Sequence, residues 1–102
     1  MYCLEEFPLK EALYKQESAR ADGAAVLSMN IYEGAEAVSG FMASNSYTMP
    51  VLLDRNFGTS LIYGVTGIPM TFFIDGDGVI RFIQRGAFSN QAAMQRELGK
   101  IR

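Results

Sequence analysis

The chain has 102 residues, 49% of them apolar and 12% aromatic, with a formal net charge of −2, one cysteine and no histidine. That is enough for one compact core without a metal or disulfide staple; the lone cysteine excludes an intrachain disulfide, and without histidine the commonest metal ligand and general base are missing, so no metal centre or cofactor is expected. The charge gives no basic field for nucleic acid, no apolar run nears the roughly 18 residues that span a bilayer, and the N-terminus lacks the pattern of a signal peptide.

From Leu4 to about Arg20, strong helix formers carry Leu4, Phe7, Leu9, Leu13 and Tyr14 among Glu5, Lys10, Glu11, Lys15 and Glu17. The pattern predicts one amphipathic helix, kinked at Pro8 where a backbone donor is lost, and ended by Asp22-Gly23. Ala24 to Ile31 is nearly unbroken apolar sequence and predicts a strand covered on both faces. A second helix is expected over 35–44, with Val38, Phe41 and Met42 at helical spacing, then a short extended piece over 49–53 around Pro50. Asp54 is placed to cap a short helix over 56–63 by accepting bonds from unpaired amides, and Gly64 stops it.

Two strands, Met70 to Ile74 and Val79 to Arg85, flank Asp75-Gly76-Asp77-Gly78, whose residue types suit a tight turn, and so predict a hairpin. The turn is not a calcium loop: its aspartates are wrongly spaced, and Gly86 falls where the chelating glutamate should. Ser89 is expected to cap a last helix over 90–100 with Ala93, Met94, Leu98 and Ile101 as its buried stripe. Phe72, Phe73, Phe82 and Phe88 read as core and strand-face residues, since no basic groove accompanies them. With no repeat or linker, residues 1–102 are expected to form a single domain.

Helix, parallel strand, helices, hairpin, helix resembles the thioredoxin fold from its active-site helix onward. Four stretches are similar to the TlpA/ResA-like branch of that family: Cys3-Leu4-Glu5-Glu6-Phe7-Pro8, Met29-Asn30-Ile31-Tyr32-Glu33, Pro50-Val51-Leu52-Leu53-Asp54, and Tyr63 through Asp75 with its Gly67-Ile68-Pro69. The resemblance implies an α/β thioredoxin-like fold and thiol–disulfide exchange with protein thiols or disulfides, in a family typically extracytoplasmic in bacteria. It also implies that the chain is truncated at its N-terminus, with the first cysteine of a Cys-x-x-Cys motif and the strand or strands before the active-site helix lying ahead of Met1.

On that resemblance Cys3 is the second, resolving cysteine. A helix start, carrying roughly half a positive charge, favours its thiolate. Alone, it can be trapped in a mixed disulfide but cannot complete an internal cycle; the competing reading is an inert, half-buried thiol. Glu6, one turn on, is by resemblance semi-buried beneath the site, tuning the cysteine by opposing its thiolate or relaying a proton; otherwise it is a solvated first-turn glutamate. Pro69 is by resemblance cis and faces Cys3, leaving the Ile68 backbone to pair with a substrate chain; otherwise it is a trans proline at a strand start.

The missing strand would be central, beside the strands at Ala24 to Ile31 and Met70 to Ile74. The gap is closed by pairing those two directly, by a homodimer that joins open edges across a two-fold axis, or by further chain if the sequence is part of a longer protein. The expectation is a homodimer. Two functions remain open: a thiol–disulfide oxidoreductase, weak or inactive as a dithiol catalyst, or a non-catalytic thioredoxin-fold module for peptide binding or self-assembly.

Overall fold

The computed structural model describes residues 2–31 and 33–102, and of residues 2, 3 and 4 the backbone alone. In chain order the elements are α1 (Tyr2–Ser18), β1 (Ser28–Asn30), α2 (Ala35–Ser44), β2 (Val51–Leu53), α3 (Gly58–Ile62), β3 (Met70–Ile74), β4 (Ile80–Arg85) and α4 (Gln91–Gly99). They fall into two compact units, Met1–Leu13 with Thr66–Arg102 and Tyr14–Val65, and the strands form two separate two-stranded sheets.

In the first unit β3 and β4 pair antiparallel, Met70 opposite Arg85 through Phe73 opposite Phe82, with a slip that brings Ile74 opposite Ile80. The turn is built by Asp75. Its Oδ1 accepts the Asp77 and Val79 amides at 2.9 and 3.0 Å, and its Oδ2 accepts Arg81 Nε at 2.6 Å. Gly78 sits at φ +81°, a conformation that glycine adopts without a Cβ penalty. Phe73 packs against the rings of Phe82 and Phe88 with centroids 5.7 and 5.9 Å apart. Among the described residues of this unit, Phe73, Phe88, Met94, Leu98 and Leu13 are large apolar side chains that are buried.

Helix α4 starts one residue later than the sequence suggests, and its cap is Asn90 rather than Ser89: the Asn90 side chain accepts the Ala93 amide at 2.9 Å. Both residue types can cap, but the one three positions before an unpaired amide does so.

In the second unit β1 and β2 pair parallel, Ser28 beside Val51, Met29 beside Leu52 and Asn30 beside Leu53. The predicted strand from Ala24 to Ile31 is reduced to three residues, and it is not covered: Leu27 is 60% exposed and Met29 40%. The ladder is short because its partner is short. Pro50 has no amide to donate, and beyond Leu53 the chain turns so that the Asp54 carboxylate can serve α3. That carboxylate accepts Thr59 and Ser60 amides at 3.2 and 2.8 Å and the Ser60 hydroxyl at 2.5 Å, the capping expected of it. The Ser60 bonds, hydroxyl first, hold the Asp54 carboxyl below the usual aspartate range.

Helix α1 runs through Pro8, giving up one backbone bond, and ends at Ser18. Past that end the buried Glu17 side chain accepts the Ala24 amide at 2.9 Å, and the Gly23 amide is bonded to the Arg20 carbonyl at 3.3 Å. Gly23 comes so close to the Glu17 carbonyl that an added Cβ would stand 1.7 Å from its oxygen, so only glycine fits there.

Candidate functional site

The candidate site residues Cys3, Glu6, Ile68 and Pro69 all belong to the first unit. The backbone of Cys3 is in the first turn of α1; its thiol, and hence the expected packing of Pro69 on it, lies outside the described residues.

Glu6 follows one turn later and is 1% exposed, so it is not the solvated glutamate of the alternative reading. Its Oε2 accepts the Phe88 amide at 2.6 Å. Its Oε1 lies 2.8 Å from Lys10 Nζ, a contact of charges rather than an aligned hydrogen bond. A buried carboxylate is tolerated only with such compensation, because desolvating an unpaired charge is costly. Lys10 was named from the sequence only among the polar residues of the helix, although its i+4 spacing from Glu6 is the signal that finds it. Phe88 has no such signal, since no local pattern links residues 82 positions apart.

The Ile68–Pro69 peptide bond is cis. Pro69 is buried, and its carbonyl accepts the Gly86 amide at 2.9 Å, which extends the β3–β4 ladder by one step. Ile68, 42% exposed, stands just ahead of that ladder, and among the described residues no hydrogen bond engages its amide or carbonyl. Two residues further on, the Thr71 hydroxyl is buried without a hydrogen-bond partner among the described residues. Sequence reasoning missed it, because a β-branched residue in a strand needs no further explanation.

Among the described residues no group of acidic side chains is arranged to hold a metal ion, and no helix is long and apolar enough to cross a membrane.

Comparison with known proteins places this geometry. The redoxin family model matches residues 2–100. The chain is 30% identical over 87 residues to the thiol-disulfide oxidoreductase ResA of Bacillus subtilis, covering 85% of this chain and 48% of ResA. It is also 30% identical over 97 residues to the thioredoxin-like protein YneN of the same organism, covering 92% and 55%. It thus spans about half the length of the curated relatives it matches. Among solved structures, StoA from Bacillus subtilis superposes with a TM-score of 0.79 over 96% of this chain and 72% of StoA, at 22% identity. The chain belongs to the redoxin family, and its α/β fold is the thioredoxin-like fold of thiol–disulfide oxidoreductases.

Proposed function

We propose that residues 1–102 act as one thioredoxin-like domain in ResA-like thiol–disulfide exchange with protein substrates, with Cys3 as the reacting thiol. Glu6 is the acidic residue that tunes it, and Ile68 and Pro69 form the shelf on which an extended substrate segment lies. The observation that carries this reading is Glu6: a carboxylate that is 1% exposed, held by the Phe88 amide, one helical turn after the cysteine. The Ile68 backbone beside the cis bond, unengaged among the described residues, supports the substrate role.

In the exchange step the Cys3 thiolate attacks one sulfur of a substrate disulfide, forming a mixed disulfide and releasing the other sulfur as a thiolate. A second thiol must then attack the mixed disulfide to free Cys3. Residues 1–102 hold one cysteine, so that second thiol comes from outside these residues, and by themselves they are weak or inactive as a dithiol catalyst.

Insulin reduction with dithiothreitol, run beside alkylation of the native protein, tests this reading. Cys3 is expected to label without denaturant while insulin turnover stays close to the dithiothreitol background. Robust turnover abolished by Cys3→Ser would show a competent catalyst, and no labelling without denaturant would leave only a non-catalytic module.

A second reading, self-assembly as a homodimer, is favoured by β1. In a parallel pair alternate residues turn their backbone groups to the neighbour; Ser28 and Asn30 bond towards β2, so Met29 turns its amide and carbonyl away. Its side chain shares a face with Leu52, and both are exposed. An apolar edge of this kind invites a partner strand.

A further inference from the structure

We infer that Lys10 is a positioning residue for the exchange reaction: it holds the Glu6 carboxylate in its buried place and offsets the negative charge that Glu6 would otherwise present one turn below Cys3. The inference rests on the reading of Cys3 as the reacting thiol.

Three observations carry it. First, Glu6 and Lys10 stand four apart on α1, acid before base, the order in which the pair is most favourable on a helix. Second, the pair is sheltered: the Glu6 side chain has no exposed surface and that of Lys10 is 19% exposed, with 2.8 Å between Nζ and Oε1. Third, the two Glu6 oxygens have different partners. Oε2 has the Phe88 amide, whereas Oε1 has no aligned hydrogen-bond donor among the described residues, so the ammonium is the group that compensates it.

The consequence for Cys3 follows from charge. A lone anion one turn away disfavours a thiolate, whereas an anion with its cation at contact acts as a short dipole whose field falls off faster. Glu6 therefore opposes the thiolate far less in the presence of Lys10 than its position alone would suggest.

The test is the rate at which iodoacetamide alkylates Cys3 in the native 102-residue chain at pH 7. Lys10→Met is expected to slow it by about twofold to tenfold, the range for one unit charge lost some two helical turns away across an intermediate dielectric. Lys10→Arg restores the rate, and Glu6→Gln combined with Lys10→Met returns it close to the parent value, because both charges are then gone. A purely structural Lys10 would not be rescued by removing its partner. Should Lys10→Met fail to fold, Lys10→Gln takes its place: it keeps a polar end beside Oε1 without the charge and is expected to slow the thiol likewise.

Carbon-13 spectra of labelled glutamate read Glu6 without the thiol: its carboxyl resonance moves in Lys10→Met and stays in Lys10→Arg. A silent Cys3 with a responsive Glu6 overturns the proposed function while leaving the hold of Lys10 on Glu6 intact. A reactive Cys3 whose rate ignores Lys10 overturns the inference and leaves the proposed function standing.

Discussion

The Glu6 carboxylate and the Phe88 amide meet at 2.6 Å across 82 positions of sequence, tying α1 to the turn before α4. Glu6→Ala leaves that amide buried without an acceptor and strands the Lys10 ammonium. An unsatisfied buried group costs about 1–3 kcal/mol and a broken buried charge pair more. Urea unfolding at neutral pH is expected to show a loss of about 2–4 kcal/mol. A loss below experimental error would mean that the contact contributes nothing to the fold.

Asp54 should make stability depend on acid. Its carboxyl is held below the ordinary value of 3.8, chiefly by the Ser60 hydroxyl, so the folded state binds a proton less readily than the unfolded chain. The contribution is present above that ordinary value and is lost as pH falls through the lower folded value. Urea midpoints at pH 7 and pH 3 should therefore differ less in Asp54→Asn than in the parent. An equal acid dependence in both would assign the effect to other carboxylates.

Two glycine substitutions should act in opposite directions. At Gly23 a Cβ meets the Glu17 carbonyl oxygen at 1.7 Å, and backbone cannot step aside as a side-chain end can; Gly23→Ala is expected to cost about 1–3 kcal/mol, as overpacking does. At Gly40, inside α2, nothing lies within 4 Å, so Gly40→Ala should stabilise by about 0.5–1 kcal/mol through helix propensity. Thermal unfolding of the two variants reads both signs at once.

Association through β1 is open to direct measurement. Light scattering under reducing conditions is expected to give a dimer at micromolar concentration, and Leu27→Lys with Met29→Lys a monomer, because charge on an edge strand blocks strand addition. A monomeric parent chain would end the homodimer reading.

What was legible in the sequence was mostly what is local. The hairpin around Asp75, the service of Asp54 to α3 and the buried Met94 and Leu98 of α4 depend on residues a few positions apart, and each was readable from spacing and residue type. The extent of β1 was not: an apolar run records that cover is wanted, while the number of paired residues is set by β2 and Pro50. At α4 the composition allowed two neighbouring caps, and helix geometry selected Asn90. Of the site, the positions of Glu6 and Pro69 came from resemblance, whereas the Phe88 partner of Glu6 exists only once distant segments are brought together.

The Asp75 turn also bears on the order in which the chain acquires its structure. Its carboxylate gathers two amides and a guanidinium from within six residues, so closing that loop sacrifices little chain entropy and hairpins form within about 1–10 μs. The parallel β1–β2 ladder and the Glu6–Phe88 bond must wait for far longer loops to close. The hairpin that carries Pro69 is thus suited to be a seed around which the rest of its unit assembles.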